Sequence, residues 1–150
     1  MIESSIEVPV AINEPVRSYA PGSPERDELL RTVSSMSASP IEVAAYIGGR
    51  EVASGERVAM RSPHRHDMVL GHWHGGDPSQ VDDAIAAALA AAPAWAATPW
   101  NARAAIFLKA AELLATKYRS VLNAATMLGQ SKTAHQAEID AAEHFCPWYS

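Results

Sequence analysis

The composition of the chain changes sharply at Asp77, and this change limits its possible folds more than any other feature. From that residue onward alanine and leucine dominate the sequence, and both have a high intrinsic preference for the α-helix. Asp77 is predicted to cap a helix, with the Gln80 side chain reaching back to the cap, and Pro93 is predicted to end it near Ala92. Its apolar residues recur on one face at helical spacing: Val81, Ile85, Leu89 and Ala92.

Three more helices are predicted in the C-terminal half, over the approximate ranges 98–115, 117–128 and 131–143. Gly129 is predicted to stop the second of them, because glycine readily adopts the conformation that ends a helix. The short run from Gly129 to Lys132 lacks the glycine spacing of a phosphate-binding loop. It is therefore interpreted as the end of one helix and the start of the next.

The N-terminal half predicts a mixture of extended and helical structure. Residues 1–22 form a predicted extended arm, because its prolines and Gly22 break any regular period. A helix follows, with Ser23 as its cap and Pro24 at its first position. Strands are predicted over 41–47 and 50–53, joined as a hairpin by the turn Gly48-Gly49, and again over 56–61 and 68–74. The chain is thus expected to be an α/β protein with an extended arm, a β-hairpin and about five α-helices.

Charge and cysteine usage exclude several function classes. Twelve lysines and arginines against seventeen aspartates and glutamates give a net charge of −5, so no nucleic acid is expected as a partner. Cys146 is the one cysteine, which excludes an internal disulfide framework and a zinc site built from cysteines. No targeting signal or membrane-spanning stretch is found, so the chain is expected to be a soluble cytoplasmic protein without a membrane partner.

Four histidines form two His-x-His pairs and raise the question of a metal site. Alternate residues of a strand share a face, so a hairpin could bring four imidazoles together. However, no carboxylate or cysteine completes a known ligand spacing. Ordinary hydrogen-bonded histidines are the favoured interpretation, and no metal is predicted. The four are His64, His66, His72 and His74.

Cys146 and the acidic pair Glu138 and Asp140 are two further candidates for reactive residues. Cys146 lacks the helix N-terminus or neighbouring cation that would activate a nucleophilic thiol, so a core or tail thiol is favoured. Glu138 and Asp140 lie about 200° apart on a helix and cannot both face one site. Glu138 falls on a face of small residues, where a buried carboxylate would suggest a function. From spacing alone, a solvated helix face is the favoured alternative.

Several stretches resemble the aldehyde dehydrogenase superfamily, and within it the L-glutamate γ-semialdehyde dehydrogenases. The general superfamily pattern is carried by Ile47-Gly-Gly-Arg-Glu-Val52 and by the helices around Trp95 and Arg103. The run from Leu122 to Thr133, Leu-Asn-Ala-Ala-Thr-Met-Leu-Gly-Gln-Ser-Lys-Thr, resembles the semialdehyde branch more specifically. The resemblance covers nearly all of residues 12–142.

The resemblance implies NAD as cofactor, a small-molecule aldehyde as substrate, a homo-oligomer, and oxidation of L-glutamate γ-semialdehyde to L-glutamate in proline degradation. It also implies that residues 23–142 are the N-terminal part of an aldehyde dehydrogenase domain, hence an incomplete Rossmann-type domain. The glutamate that matches Glu138 lies near the aldehyde site in the family, so Glu138 is predicted to be a substrate-binding residue. No catalytic, cofactor-binding or metal-binding residue is assigned to this segment.

The resemblance stops after Ala142, and residues 143–150 are interpreted as a divergent tail of a truncated or frame-shifted copy. Because the family's catalytic cysteine and glutamate are not matched by any residue here, the chain alone is predicted to be inactive. One alternative stays open, a non-catalytic small α/β protein or vestigial interaction module. A histidine-based metal module is a more distant one.

Overall fold

Helices and strands follow one another through residues 14–143, the part of the chain that the computed structural model describes. The strands are β1 (Ile41–Val43), β2 (Ala45–Ile47), β3 (Arg50–Val52), β4 (Arg57–Ser62) and β5 (Arg65–His74). The helices are α1 (Pro24–Ala38), α2 (Pro78–Ala97), α3 (Trp100–Ala115), α4 (Arg119–Gln130) and α5 (Ala134–Ala137), and α5 continues into a π-helical segment (Glu138–Glu143). The α/β architecture predicted from the sequence is confirmed. Residues 1–13 of the predicted arm and Cys146 lie outside the described residues.

The strands form two separate sheets. In the larger one, β5 lies in the centre, with β1 parallel to it on one side and β4 antiparallel on the other. The ladder between β4 and β5 shifts register between Met60 and Ser62, which indicates a β-bulge or similar irregularity. The smaller sheet is the hairpin of β2 and β3.

The hairpin confirms one prediction and corrects another. Gly48 and Gly49 form its turn with φ angles of 57° and 75°, values that glycine adopts without a steric penalty. The predicted single strand over 41–47 is wrong, because it divides at Ala44 into β1 and β2. The two pieces pair with different strands, β5 and β3, and so belong to different sheets.

Local capping chemistry fixes the starts of two helices as predicted. Ser23 accepts a hydrogen bond from the Arg26 N–H at the start of α1, and Asp77 and Gln80 form a reciprocal capping box at the start of α2.

The prediction that Pro93 ends α2 is wrong, since this helix continues to Ala97. A proline inside a helix removes one backbone donor, and the helix here continues past that loss.

The boundary between α4 and α5 also differs from the prediction. Gly129 lies inside α4, and Ser131 ends the helix instead, in a left-handed conformation with φ 59°. Thr133 then caps α5 in a capping box with Gln136. The helix stop and helix start predicted for this stretch are present, but the stop is two residues later.

The apolar core lies between α1, α4 and the end of the arm. It consists of the buried residues Tyr19, Leu29 and Ala124, with Val33, Met36, Met127 and Ala134 packed around them. By contrast, the apolar faces of α2 and α3 are exposed, as Leu89 at 69% and Ile106 at 56% illustrate. Among residues 14–143, none of the helices has both the length and the apolar character needed to cross a bilayer.

Candidate functional site

A buried carboxylate lies where the arm, α4 and the π-helical segment meet. Glu138 is the first residue of the π-helical segment and is 0% exposed. Short π-helical stretches occur frequently at functional sites, and a buried carboxylate is rare unless it is paired. We refer to Glu138 and the donors around it, described next, as the Glu138 cluster.

Five donor contacts converge on the two carboxylate oxygens. Oε1 accepts the backbone N–H of Arg17 at 2.8 Å, and Oε2 accepts the Tyr19 hydroxyl at 2.7 Å and the Asn123 amide at 2.7 Å. The guanidinium of Arg119 donates to both, through Nη2 to Oε1 and through Nε to Oε2 at 3.3 Å. A carboxylate has about four lone-pair positions, so the chain itself occupies all of them.

The local sequence explains how α4 supplies two of these donors. Arg119 and Asn123 are four residues apart, which places them on the same face of a helix. Both are buried, at 2% and 0% exposure. The planar guanidinium fork suits a carboxylate better than an ammonium group would. Arg119 also donates to the carbonyls of Pro15 at 2.8 Å and Ala115 at 3.5 Å, so the helix residue ties the arm to the cluster.

The donors keep Glu138 ionised. Burial raises the pKa of Glu138, but the hydrogen bonds from Arg119, Tyr19, the Arg17 N–H and Asn123 outweigh it and lower the pKa to about 2. Burial and the hydrogen bond to Glu138 raise the pKa of Tyr19 to about 12. Burial lowers the pKa of Arg119, but the contacts with Glu138 reverse this and raise it overall. At neutral pH the cluster is therefore an ion pair with a neutral phenol beside it.

This arrangement limits the chemistry that Glu138 can perform. A general base needs a pKa near the working pH and a free lone pair directed at the proton it removes, and Glu138 has neither. A fixed negative charge that orients the groups around it needs only rigid partners, which are present. The cluster is therefore built for positioning and electrostatics rather than for proton transfer.

One buried acceptor in the cluster has no partner among the described residues. The Asn123 amide nitrogen donates to Tyr19 Oη at 2.8 Å as well as to Glu138, while its Oδ1 is buried and unpaired. Exchanging the two amide atoms would turn the oxygen toward the carboxylate, so the donor role of the nitrogen is fixed. An unpaired buried acceptor costs about 1–3 kcal/mol, which the other contacts of the cluster must offset.

Glu138 and Asp140 separate as the sequence predicted, but the favoured alternative for Glu138 is wrong. Asp140 points to solvent and forms an ion pair with Lys132. Glu138 is completely buried instead of lying on a solvated helix face. The side chains of Tyr19 and Arg119 contact its carboxylate in place of solvent.

The four histidines do not converge. His64 Nδ1 lies 2.8 Å from Ser131 Oγ, and His66 Nε2 lies 2.9 Å from the Pro63 carbonyl oxygen. The other pair, His72 and His74, contacts Glu42 of β1 at 3.3 Å and 3.1 Å, and Arg57 contacts the same carboxylate. Within residues 14–143, no group of three or more metal-binding side chains is arranged to hold an ion. Cys146 lies outside these residues.

The start of α2 does not fit a nucleotide phosphate. It follows a strand and the glycine pair Gly75-Gly76, an order typical of dinucleotide-binding folds. However, the Asp77 carboxylate accepts the Gln80 N–H at 3.1 Å, and its negative charge would repel a phosphate at this position. The start of α2 therefore offers no site for the phosphates of NAD.

Sequence reasoning missed the partners of Glu138. Tyr19 is 119 residues away from it, and nothing in the local pattern of the arm indicates a buried phenol. The spacing of Arg119 and Asn123 on one helix face was a usable signal, because two polar residues beside buried alanines suggest a polar network. Ser62, which is also fully buried, contacts His64 Nδ1 at 3.3 Å and lies outside the Glu138 cluster.

The chain is similar to known proteins of one family. The chain matches the model of the aldehyde dehydrogenase family over residues 50–150. It is 46% identical over 147 residues to the Δ1-pyrroline-5-carboxylate dehydrogenase of Agaricus bisporus, covering 97% of this chain and 27% of that protein. It is 40% identical over 147 residues to the mitochondrial Δ1-pyrroline-5-carboxylate dehydrogenase of Emericella nidulans, covering 97% of this chain and 26% of that protein.

A solved structure agrees with the sequence relatives. The Δ-pyrroline-5-carboxylate dehydrogenase of Mycobacterium tuberculosis bound with NAD superposes with a TM-score of 0.94 and 44% identity, covering 99% of this chain and 28% of that one. The chain therefore spans about a quarter of the length of the relatives it matches. On the family match and these identities, the chain belongs to the aldehyde dehydrogenase family.

Proposed function

We propose that this chain is the N-terminal part of an NAD-dependent L-glutamate γ-semialdehyde dehydrogenase, which acts on the open-chain form of Δ1-pyrroline-5-carboxylate in proline degradation. The observation that supports this most is the agreement of fold and sequence with one enzyme over nearly the whole chain. In the proposed reaction the aldehyde carbon is oxidised to a carboxylate, water supplies the added oxygen, and NAD accepts the hydride.

In this proposal the described residues bind and position rather than react. Glu138 borders the pocket that receives the aldehyde, with its charge balanced by Arg119. The exposed apolar faces of α2 and α3 pack against the remainder of the dehydrogenase fold, which supplies the thiol nucleophile and the NAD site. A homo-oligomeric state and a cytoplasmic location belong to the same proposal.

A hybrid protein tests the proposal. Residues 1–142 of this chain are joined to the remaining portion of the M. tuberculosis enzyme, and NADH formation is followed with glutamate γ-semialdehyde. We expect turnover within about tenfold of the parent enzyme. Propanal is the control substrate, since it lacks the charged groups of the semialdehyde. A folded hybrid that oxidises propanal and not the semialdehyde would refute the substrate assignment.

The role of Glu138 is tested in the same hybrid. Glu138→Ala removes an acceptor of charged hydrogen bonds, and we expect kcat/KM to fall about tenfold to a hundredfold. Asp140→Ala is the matched control, because Asp140 lies two residues away on the exposed side, and we expect little change. Equal kinetics for wild-type and Glu138→Ala hybrids, both folded at the assay temperature, would exclude a role in the pocket.

The alternative predicted from the sequence, a non-catalytic interaction module, makes a different prediction. It requires the apolar faces of α2 and α3 to bind a partner unrelated to dehydrogenases. In that case the hybrid would fail to assemble although the 150-residue chain folds. The fold agreement over 99% of the chain favours the dehydrogenase.

A further inference from the structure

We infer that Tyr19 is a positioning residue, which holds Glu138 from the arm and so fixes one wall of the proposed substrate pocket. For its kinetic consequence this inference rests on the proposed function. Its structural basis does not, because it depends only on contacts among the described residues. Tyr19 acts through Glu138 and not by contact with a reacting atom.

The backbone of Tyr19 carries the first argument. Its φ angle is 50°, in the left-handed region that a bulky residue rarely adopts. Such strain persists only where the surrounding structure enforces it, and it clusters at functional sites. In this conformation Tyr19 is 7% exposed, and its hydroxyl lies 2.7 Å from Glu138 Oε2. The Tyr19 carbonyl also accepts a hydrogen bond from Arg26 Nη1 at 3.3 Å.

The contacts of the arm carry the second argument. Three alternate arm residues reach the cluster: the Pro15 carbonyl accepts from Arg119, the Arg17 N–H donates to Glu138, and the Tyr19 hydroxyl donates to Glu138. Two of these contacts come from the backbone and one comes from a side chain, so the arm meets the cluster along residues 15–19. The arm therefore forms part of the wall around Glu138.

The ring and the hydroxyl of Tyr19 make separate contacts. The ring packs into the core with Leu29 and Ala124, whereas the hydroxyl bridges Asn123 and Glu138. Tyr19→Phe keeps the ring and removes the bridge alone. The variant therefore separates positioning of Glu138 from packing of the core, which Tyr19→Ala could not do.

The first experiment measures amide hydrogen exchange at Arg17 in the 150-residue chain, because this N–H donates directly to Glu138 Oε1. We expect Tyr19→Phe to accelerate its exchange about tenfold to a hundredfold, the range for losing one hydrogen bond to a charged group. Tyr46→Phe is the control, since Tyr46 lies in the hairpin and is 75% exposed, and it should change nothing at Arg17. An Arg17 exchange rate that is equal in wild type and Tyr19→Phe would overturn the inference.

The second experiment measures kinetics in the hybrid protein. A positioning role predicts that Tyr19→Phe raises the KM for glutamate γ-semialdehyde about tenfold and leaves propanal oxidation unchanged. A purely structural role would impair both substrates equally, and that outcome would overturn the inference. Tyr46→Phe should again match wild type.

The two experiments separate failure of the inference from failure of the proposed function. If the wild-type hybrid oxidises propanal but not the semialdehyde, the proposed function fails, and the exchange of the Arg17 amide still decides whether Tyr19 holds the arm and Glu138 together. If the wild-type hybrid is active and Tyr19→Phe is kinetically identical to it, the proposed function stands and the positioning role fails.

Discussion

Replacing Glu138 with glutamine gives the sharpest test of the buried cluster as a source of stability. Glutamine has nearly the same shape but carries no charge, and its amide nitrogen can only donate. In Glu138→Gln the guanidinium of Arg119, a residue that is 2% exposed in this chain, loses the anion beside it. The amide nitrogen of the new glutamine also faces donors and has no acceptor to bind. Removing one partner of a buried ion pair typically costs about 3–5 kcal/mol.

The shifted pKa gives an independent magnitude. A drop from 4.5 to about 2 on folding corresponds to about 3 kcal/mol of stability. Because the pKa is lower in the folded state, this stabilisation is complete above the unfolded value of 4.5. It is lost progressively as the pH falls toward about 2. Wild type should therefore exceed Glu138→Gln by about 3 kcal/mol at pH ~7, and this difference should shrink steadily below pH ~4.

Urea unfolding at a series of pH values measures both quantities. Glu112→Gln serves as the control, because Glu112 forms an exposed ion pair with Lys109, and such pairs contribute about 0–1 kcal/mol. A loss below about 1 kcal/mol for Glu138→Gln at neutral pH would refute the reasoning. A difference that does not change with pH would refute it too, because the lost energy would then not come from the charge of Glu138.

Three further predictions concern the chain by itself. Purified 150-residue protein should form no NADH from glutamate γ-semialdehyde, as monitored by absorbance, because the sequence around Cys146, its one cysteine, lacks the features that activate a nucleophilic thiol; any rate above background contradicts this. The chain should self-associate through the exposed faces of α2 and α3, and Leu89→Lys should reduce this in light scattering; a monodisperse wild-type monomer would count against it. Gly55→Ala should destabilise the fold by more than about 1 kcal/mol in urea unfolding. Gly55 has a φ of 91°, and a Cβ there would lie 1.9 Å from the Gly75 carbonyl oxygen; unchanged stability would show that the loop relaxes.

The features predicted correctly from the sequence depend on short-range chemistry. The cap at Ser23, the capping box of Asp77 and Gln80, and the turn at Gly48-Gly49 each involve residues within a few positions of one another, where spacing determines geometry. The wrong boundaries arose where a local signal was not decisive. Pro93 removes one hydrogen bond of α2 without ending the helix.

Long-range pairing could not be predicted in the same way. The division of residues 41–47 into β1 and β2 depends on which distant strand each piece meets. The partnership of Tyr19 with Glu138 depends on the path of the chain through 119 intervening residues. Neither leaves a periodic pattern in the sequence.

The small residues around Glu138 show how such a site can still be anticipated. Ala124 and Ala137 are 0% exposed, and their methyl groups fill too little space to close the interior by themselves. Buried alanines on a helix face thus imply a large side chain from another element against them, and Tyr19 packs against Ala124 in this way. A carboxylate on such a face is therefore more informative than its amphipathic spacing suggests. A carboxylate cannot remain buried and charged without hydrogen-bond donors. Its presence on such a face therefore predicts that arginine, tyrosine or amide side chains of other elements bind it, as Arg119, Tyr19 and Asn123 do.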